Sequence, residues 1–385
     1  MMEQKQLPEK FQEFSEARKN GFLRAKAVKD AGGRVAGTFC TYTPNEVFDA
    51  AGVYTVSLCG TSDETVAAAE AELPKNLCPL IKSSYGFAVS DKCPYTYFSD
   101  LIVGETTCDG KKKMYELLGR LKDVHVMHLP QGIDRPYAAE LWRRELEYLK
   151  TLLEEKFGAE ITDEKLRAAC RLRNRLRRAK LELMEMQKLC PPPANYTDLY
   201  HVIDSANYSF DVERSIRAIA EMTAAIKAAY EAGQRPVSPD RKRILITGCP
   251  STGVLQKTVG EIEKNGGVVV CMENCNGLKA AIQMVDEQAP DILQAIADRY
   301  LEIGCAVMSP DTKRMELLQR LLREYRIDGV VEIILQACHP YAIERQQVRE
   351  TVRQMGLPYI AVETDYSQSD AGQLSTRLSA FIEML

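Results

Sequence analysis

Short apolar runs alternate with helical stretches in both ends of this chain, and most of those runs close on a cysteine. RVAGTFC ends at Cys40, VYTVSLC at Cys59 and DLIVGETTC at Cys108. PNEVFDAAG, a helical stretch over 64–72 and DGKKKMYELLGRL stand among them, and DVHVMHLP supplies a fourth strand. Strands separated by helices predict a parallel, doubly wound sheet. The order returns near the C-terminus. RILITGC ends at Cys249, GGVVVCMENC reaches Cys275, IGCAVMS carries Cys305, DGVVEIILQAC ends at Cys338, and LPYIAVET closes the series. The two regions share little identity but the same sequence of strand, cysteine and helix, so they read as distant copies of one unit.

The expected architecture is therefore α/β: two doubly wound parallel-sheet (Rossmann-like) domains joined by a helical segment. The first covers 1–135 and includes an N-terminal helix; the helical segment is 136–235; the second α/β domain is 236–385. Amphipathic spacing marks the middle segment as helical. Its arginine run, 171–178, has acidic neighbours at helical spacing and reads as a solvated face rather than a nucleic-acid patch. Cys170 and Cys190 fall in this segment and are expected to be structural.

Twelve cysteines in 385 residues need an explanation. The polar N-terminal stretch has no apolar signal core, which predicts a cytoplasmic protein without disulfides. No apolar run is long enough to span a membrane. The net charge of −4 argues against a general nucleic-acid binder. Cysteine can serve as a small buried apolar residue, but such cysteines would scatter through strand and helix interiors. Here Cys40, Cys59, Cys108, Cys249, Cys275 and Cys338 fall at or just beyond predicted strands, and Cys305 at a strand edge. Ligands of doubly wound sheets bind beyond the carboxyl ends of the strands.

Proline directly follows Cys78, Cys93 and Cys249. Proline favours the first turn of a helix, so each cysteine is expected at a helix start, where the field favours thiolate. The closely spaced CxxC pairs of zinc sites are absent, as is a ferredoxin run. Thiols drawn from several strand ends fit a cluster assembled by tertiary structure. GCPSTG lacks the lysine and hydroxyl of a phosphate loop. His339, beside Cys338, is expected to donate a proton or hydrogen bond near a cluster rather than to serve a cysteine hydrolase. Glu46 and Glu105 near strand ends could act similarly, with solvated carboxylates as the plainer reading. The lysines 111–113 read as an exposed helix face.

The segments GTFCTYTPNEVFDAAG, LPKNLCPLIKSSYG, DLIVGETTCDGKKKMYE, ENCNG and DGVVEIILQACHPYAIE resemble the D-component family of 2-hydroxyacyl-CoA dehydratases, as does the closing ETDYSQSDAGQLSTRLSAFIEML. The resemblance covers nearly the whole chain and is nearest to the single-chain, double-cubane branch. It implies a homodimeric, low-potential reductase of small-molecule substrates holding a double-cubane [8Fe-9S] cluster by six cysteines. It further implies a separate ATP-hydrolysing iron–sulfur activator as partner. Motif by motif, Cys78 of NLCPL, Cys108 of ETTCDG and Cys338 of QACHP match the three ligands of a family [4Fe-4S] cubane, which places the cluster in the interdomain cleft. Cys249, Cys275 and Cys305 are the expected remaining ligands, with Cys40, Cys59 and Cys93 in reserve. Two other functions stay open: a 2-hydroxyacyl-CoA dehydratase subunit with one [4Fe-4S] cluster, and a non-enzymatic electron carrier.

Overall fold

The structure, a computed structural model, describes residues 16–385. The expected N-terminal helix is present as Glu16–Asp30; the part of it assigned to earlier residues lies outside those described. Two four-stranded sheets follow. The first is built from β1 (Arg34–Thr38), β2 (Val53–Ser57), β3 (Leu101–Glu105) and β4 (Val124–Met127). The second is built from β5 (Lys242–Gly248), β6 (Gly267–Met272), β7 (Gly329–Leu335) and β8 (Tyr359–Thr364). Every pairing is parallel.

The strand orders are β2-β1-β3-β4 and β6-β5-β7-β8. Both place the first strand second in the sheet, so the two units share one topology, as the repeated sequence order implied. β3 and β7 are buried along their whole length. Parallel strands covered on both faces carry continuous apolar runs, which is why DLIVGE and GVVEIIL stand out in sequence.

Four helices occupy the middle of the chain: Ala138–Phe157, Asp163–Glu185, Tyr196–Ser205 and Val212–Glu231. Thr162 caps the second, accepting the Lys165 N–H at 3.3 Å. Arg173 on this helix pairs with Asp49 in the first unit. The next residue, Asn174, donates to the Val285 carbonyl in the second at 2.9 Å. The arginine run is thus not simply a solvated face. Arg171, Arg175 and Arg178 are exposed, whereas Arg177 is buried against Glu46. The helical period puts opposite fates on adjacent residues.

Three local expectations change. IGCAVMS forms no strand; residues 303–309 are irregular. The Ile303 carbonyl instead accepts the Tyr42 hydroxyl, and Gly304 lies against the Arg314 backbone, where a Cβ would sit 2.4 Å from the amide nitrogen. The helix placed over 64–72 shrinks to Val66–Ala69. Cys249 does not start an α-helix: a 3-10 turn, Thr252–Val254, comes first. Gly248, at φ +101°, turns the chain out of β5 so tightly that a Cβ there would lie 2.2 Å from the Ile333 carbonyl oxygen. Only glycine adopts that turn without strain. Among the described residues, no helix is long and apolar enough to cross a membrane.

Candidate metal centre

In a sheet ordered 2-1-3-4, the connections leave in opposite directions after the first and third strands, and a crevice opens between their carboxyl ends. Cys40 follows β1 by two residues and Cys108 follows β3 by three; Cys249 directly follows β5 and Cys338 follows β7 by three. Each sheet therefore offers two cysteines at its switch point. Cys59 and Cys275 follow the neighbouring strands β2 and β6.

All six line a single cavity of about 960 Å³, together with Cys78 and Cys305. Residues beyond both sheets thus share one space. Cys93 is not on its wall: its Sγ accepts the Thr96 N–H at 3.4 Å and caps the short helix Pro94–Phe98. Cys271 is buried within β6, Cys170 is buried in the long helix, and Cys190 is exposed; none of these reaches the cavity.

Seven of the eight thiols fall into two neighbourhoods, with Cys108 in neither. Cys338 lies within hydrogen-bond reach of both Cys78 and Cys249. Cys40, Cys275 and Cys305 interact electrostatically as a second set, and Cys59 joins them through Cys275. Cys78, Cys108 and Cys338 each stand immediately before a helix, as expected for the first from its proline. The expected fall in thiol pKa does not follow for two of them in the metal-free protein. The Cys78 thiol is pushed well up by its hydrogen bond to Cys338 and by burial, and Cys338 by its bond to Cys249. Burial likewise pushes Cys40, Cys59 and Cys305 up. At Cys78 and Cys338 the bonds between thiols, with desolvation, outweigh the helix field, and a bound cation would have to draw the protons off.

The acidic candidates also change character. Neither Glu46 nor Glu105 is solvated; both are fully buried. Burial pushes the Glu46 carboxyl up, but Arg177 and Arg299 outweigh it and hold the group below its usual range. With Arg177 bonded to one oxygen and the Tyr300 hydroxyl to the other at 2.8 Å, Glu46 is a structural ion-pair partner. Glu105 differs. Burial pushes its pKa up to about 7 against the pull of Thr43 and Lys111. Thr43 donates to Oε1, while Oε2 has no hydrogen-bond partner. His339, the first residue of the helix His339–Gln354, is exposed and lines the cavity.

Lys111 is buried rather than on an exposed face, with its Nζ donating to the Phe39 carbonyl at 2.8 Å. Lys112 and Lys113 keep the expected exposure. Sequence reasoning missed Lys279 and Tyr341, both buried near Cys275 and Cys305. Neither carries a local signal: a lysine in a four-residue helix and a tyrosine after CHP read as surface.

Among the described residues, no three histidine, cysteine or carboxylate side chains close around one point as a single-ion site requires. Zinc draws its thiolates to within about 2.3 Å of one centre. An iron–sulfur cluster takes a thiolate on each of several irons, so its ligands must surround a volume. Soft thiolates favour such clusters over hard cations. The cavity's soft thiol donors are of the kind that an iron–sulfur cluster takes.

Comparison with known proteins gives consistent results. Residues 40–385 match the family model described as 2-hydroxyglutaryl-CoA dehydratase, D-component. A provisionally named dehydratase subunit of Escherichia coli (strain K12), YjiM, is 52% identical over 380 residues, covering 98% of each chain. The (R)-phenyllactyl-CoA dehydratase beta subunit of Clostridium sporogenes is 21% identical over 94% of each chain. A benzoyl-CoA reductase component of Thauera aromatica is 23% identical over 88% of each.

Proposed function

We propose, on the premise that this chain belongs to the 2-hydroxyglutaryl-CoA dehydratase D-component family, that it is a low-potential reductase of small molecules built around a double-cubane [8Fe-9S] cluster. The family joins dehydratase and reductase components, so an enzyme is the expected product of this fold. The observation that carries the finer reading is the presence of eight thiols on one cavity wall. Cys78, Cys108 and Cys338, matched by motif, would hold one cubane. That leaves five thiols facing the same space. For a second cubane we favour Cys40, Cys275 and Cys305 over Cys249, Cys275 and Cys305, because the former interact electrostatically with one another while Cys249 interacts with Cys338.

Such a cluster supplies single electrons at low potential. The chain's own residues would do the rest. The His339 imidazole, exposed at the cavity, can carry a proton to a bound substrate. Glu105, whose pKa burial pushes up to about 7, can hand one inward. GCPSTG, the closest approach to a phosphate loop, lacks its lysine, in keeping with electrons arriving from a separate ATP-hydrolysing iron–sulfur activator. The assembly proposed is a homodimer in the cytoplasm.

Anaerobic purification with iron and sulfide counting tests the reading. About eight irons per chain are expected, against about four for a single cubane. A colourless oxygen-free preparation overturns it. Cys40→Ser should then lower the iron count, and Cys249→Ser should lower it less; the reverse order returns Cys249 to the ligand set. The second reading is a dehydratase subunit with one [4Fe-4S] cluster, favoured by the dehydratase names of two close-length relatives. It predicts about four irons and turnover of a CoA thioester only with a sister chain.

A further inference from the structure

Two buried lysines stand beside the second set of thiols, one from each unit. Lys111 follows β3 and Lys279 follows β6. Their exposures are 9% and 1%. Each shares a single oxygen atom with a cysteine. The Lys111 Nζ donates to the Phe39 carbonyl at 2.8 Å, and the Cys59 Sγ lies 3.2 Å from that same oxygen. The Lys279 Nζ donates to the Tyr341 hydroxyl at 3.0 Å, and the Cys305 Sγ lies 3.6 Å from that same hydroxyl. Lys111 is in electrostatic reach of Cys40 and Cys59, and Lys279 of Cys275 and Cys305.

Among the described residues, neither ammonium has a carboxylate within ion-pair distance. The acids in electrostatic reach lie beyond that distance: Glu105, which accepts from Thr43, acts on Lys111, and Glu273, which pairs with Arg314 at 3.3 Å, acts on Lys279. A buried cation is costly unless an anion neutralises it. Two buried ammonium groups flanking these thiols suit a space that holds negative charge.

We propose that Lys111 and Lys279 are positioning residues that hold an anionic sulfur-ligated group between Cys40 and Cys59 on one side and Cys275 and Cys305 on the other. They raise its reduction potential from both sides. The inference rests on the iron–sulfur reading above and deepens it. A positive charge stabilises the reduced, more negative state of the group, so removing one must make reduction harder. Tyr341 adds to this: it accepts from Lys279 and can turn its own proton toward the Cys305 sulfur.

The test uses Lys111→Met and Lys279→Met, which keep length and remove charge, with Lys113→Met on the exposed face of the same helix as control. In the metal-free full chain, each buried variant should unfold at a higher temperature than the parent, because a buried ammonium without an ion-pair partner is gone. In the iron-loaded chain, each should make the one-electron reduction at least about tenfold less favourable, a shift of about 59 mV to more negative potential. Loss of iron together with a more stable metal-free chain supports the proposal equally. Tyr341→Phe should move the potential in the same direction. A fall in metal-free stability in the lysine variants overturns the proposal, since that is what lysines serving only as structural donors would give. So does a loaded potential equal to that of the parent and of Lys113→Met. A parent chain without iron and sulfide removes the underlying reading instead.

Discussion

Glu105 shows how much a single buried group can say about a site before any cofactor is added. Its folded pKa of about 7 lies above the ordinary carboxyl value of 4.5, with burial as the main cause. The folded chain therefore binds a proton that the unfolded chain releases between these values. Stability from this group is fully present below about pH 4.5 and is lost as pH rises to about 7. At about 1.36 kcal/mol per unit, the loss is at most about 3–4 kcal/mol. Glu105→Gln should flatten the stability profile of the metal-free protein between pH 5 and 7.5, measured by urea unfolding. Asp311, pushed up to about 8 by burial and Glu344, supplies a slope of the same sign that should remain. An unchanged profile in Glu105→Gln would assign the whole slope elsewhere. The sequence did place Glu105 near a strand end, but it could not say whether the carboxyl faced water. Burial of a polar residue depends on which chain segments close over it, and the covering residue, Thr43, is 62 positions away.

Legibility differs by element. The strands were readable because parallel central strands are apolar throughout and are bounded by turn residues, and every expected run except IGCAVMS appears in place. IGCAVMS failed for a physical reason: it has the composition of a strand, but Tyr42 and Arg314 take its backbone into packing that no local pattern announces. The long helix Asp163–Glu185 was readable as a helix, yet its role as a brace was not, since its partners Asp49, Glu46 and Val285 come from both ends of the chain. That brace has a measurable consequence. Arg177→Met leaves the Glu46 carboxylate buried without its guanidinium, a change that costs about 3–5 kcal/mol. Adding Glu46→Gln should recover most of the loss, because the charge left behind is removed as well. Denaturant unfolding of the single and double variants decides it. A single variant costing under about 1 kcal/mol, or a double variant no better, would mean that Tyr300 and Arg299 alone hold Glu46.

At the scale of the molecule, the cavity is where the two units meet through their thiols. Cys78 precedes a helix of the first unit, Cys338 one of the second, and the two are in hydrogen-bond reach. Cys40 of the first interacts with Cys275 and Cys305 of the second. A metal group taking ligands from both units would act as a set of cross-links closing long loops, and whatever binds the folded state but not the unfolded one stabilises it. Iron removal under strictly oxygen-free conditions should therefore lower the unfolding temperature and increase the rate at which protease cuts segments near the cavity, such as 305–311. Cys78→Ser and Cys338→Ser should each reproduce part of that loss even with iron present. Cys93→Ser, whose thiol caps a helix away from the cavity, should change iron content little and stability by about 1 kcal/mol at most. Identical unfolding temperatures and digestion rates with and without iron would show that the thiols do not bridge the two units, whatever metal the chain carries.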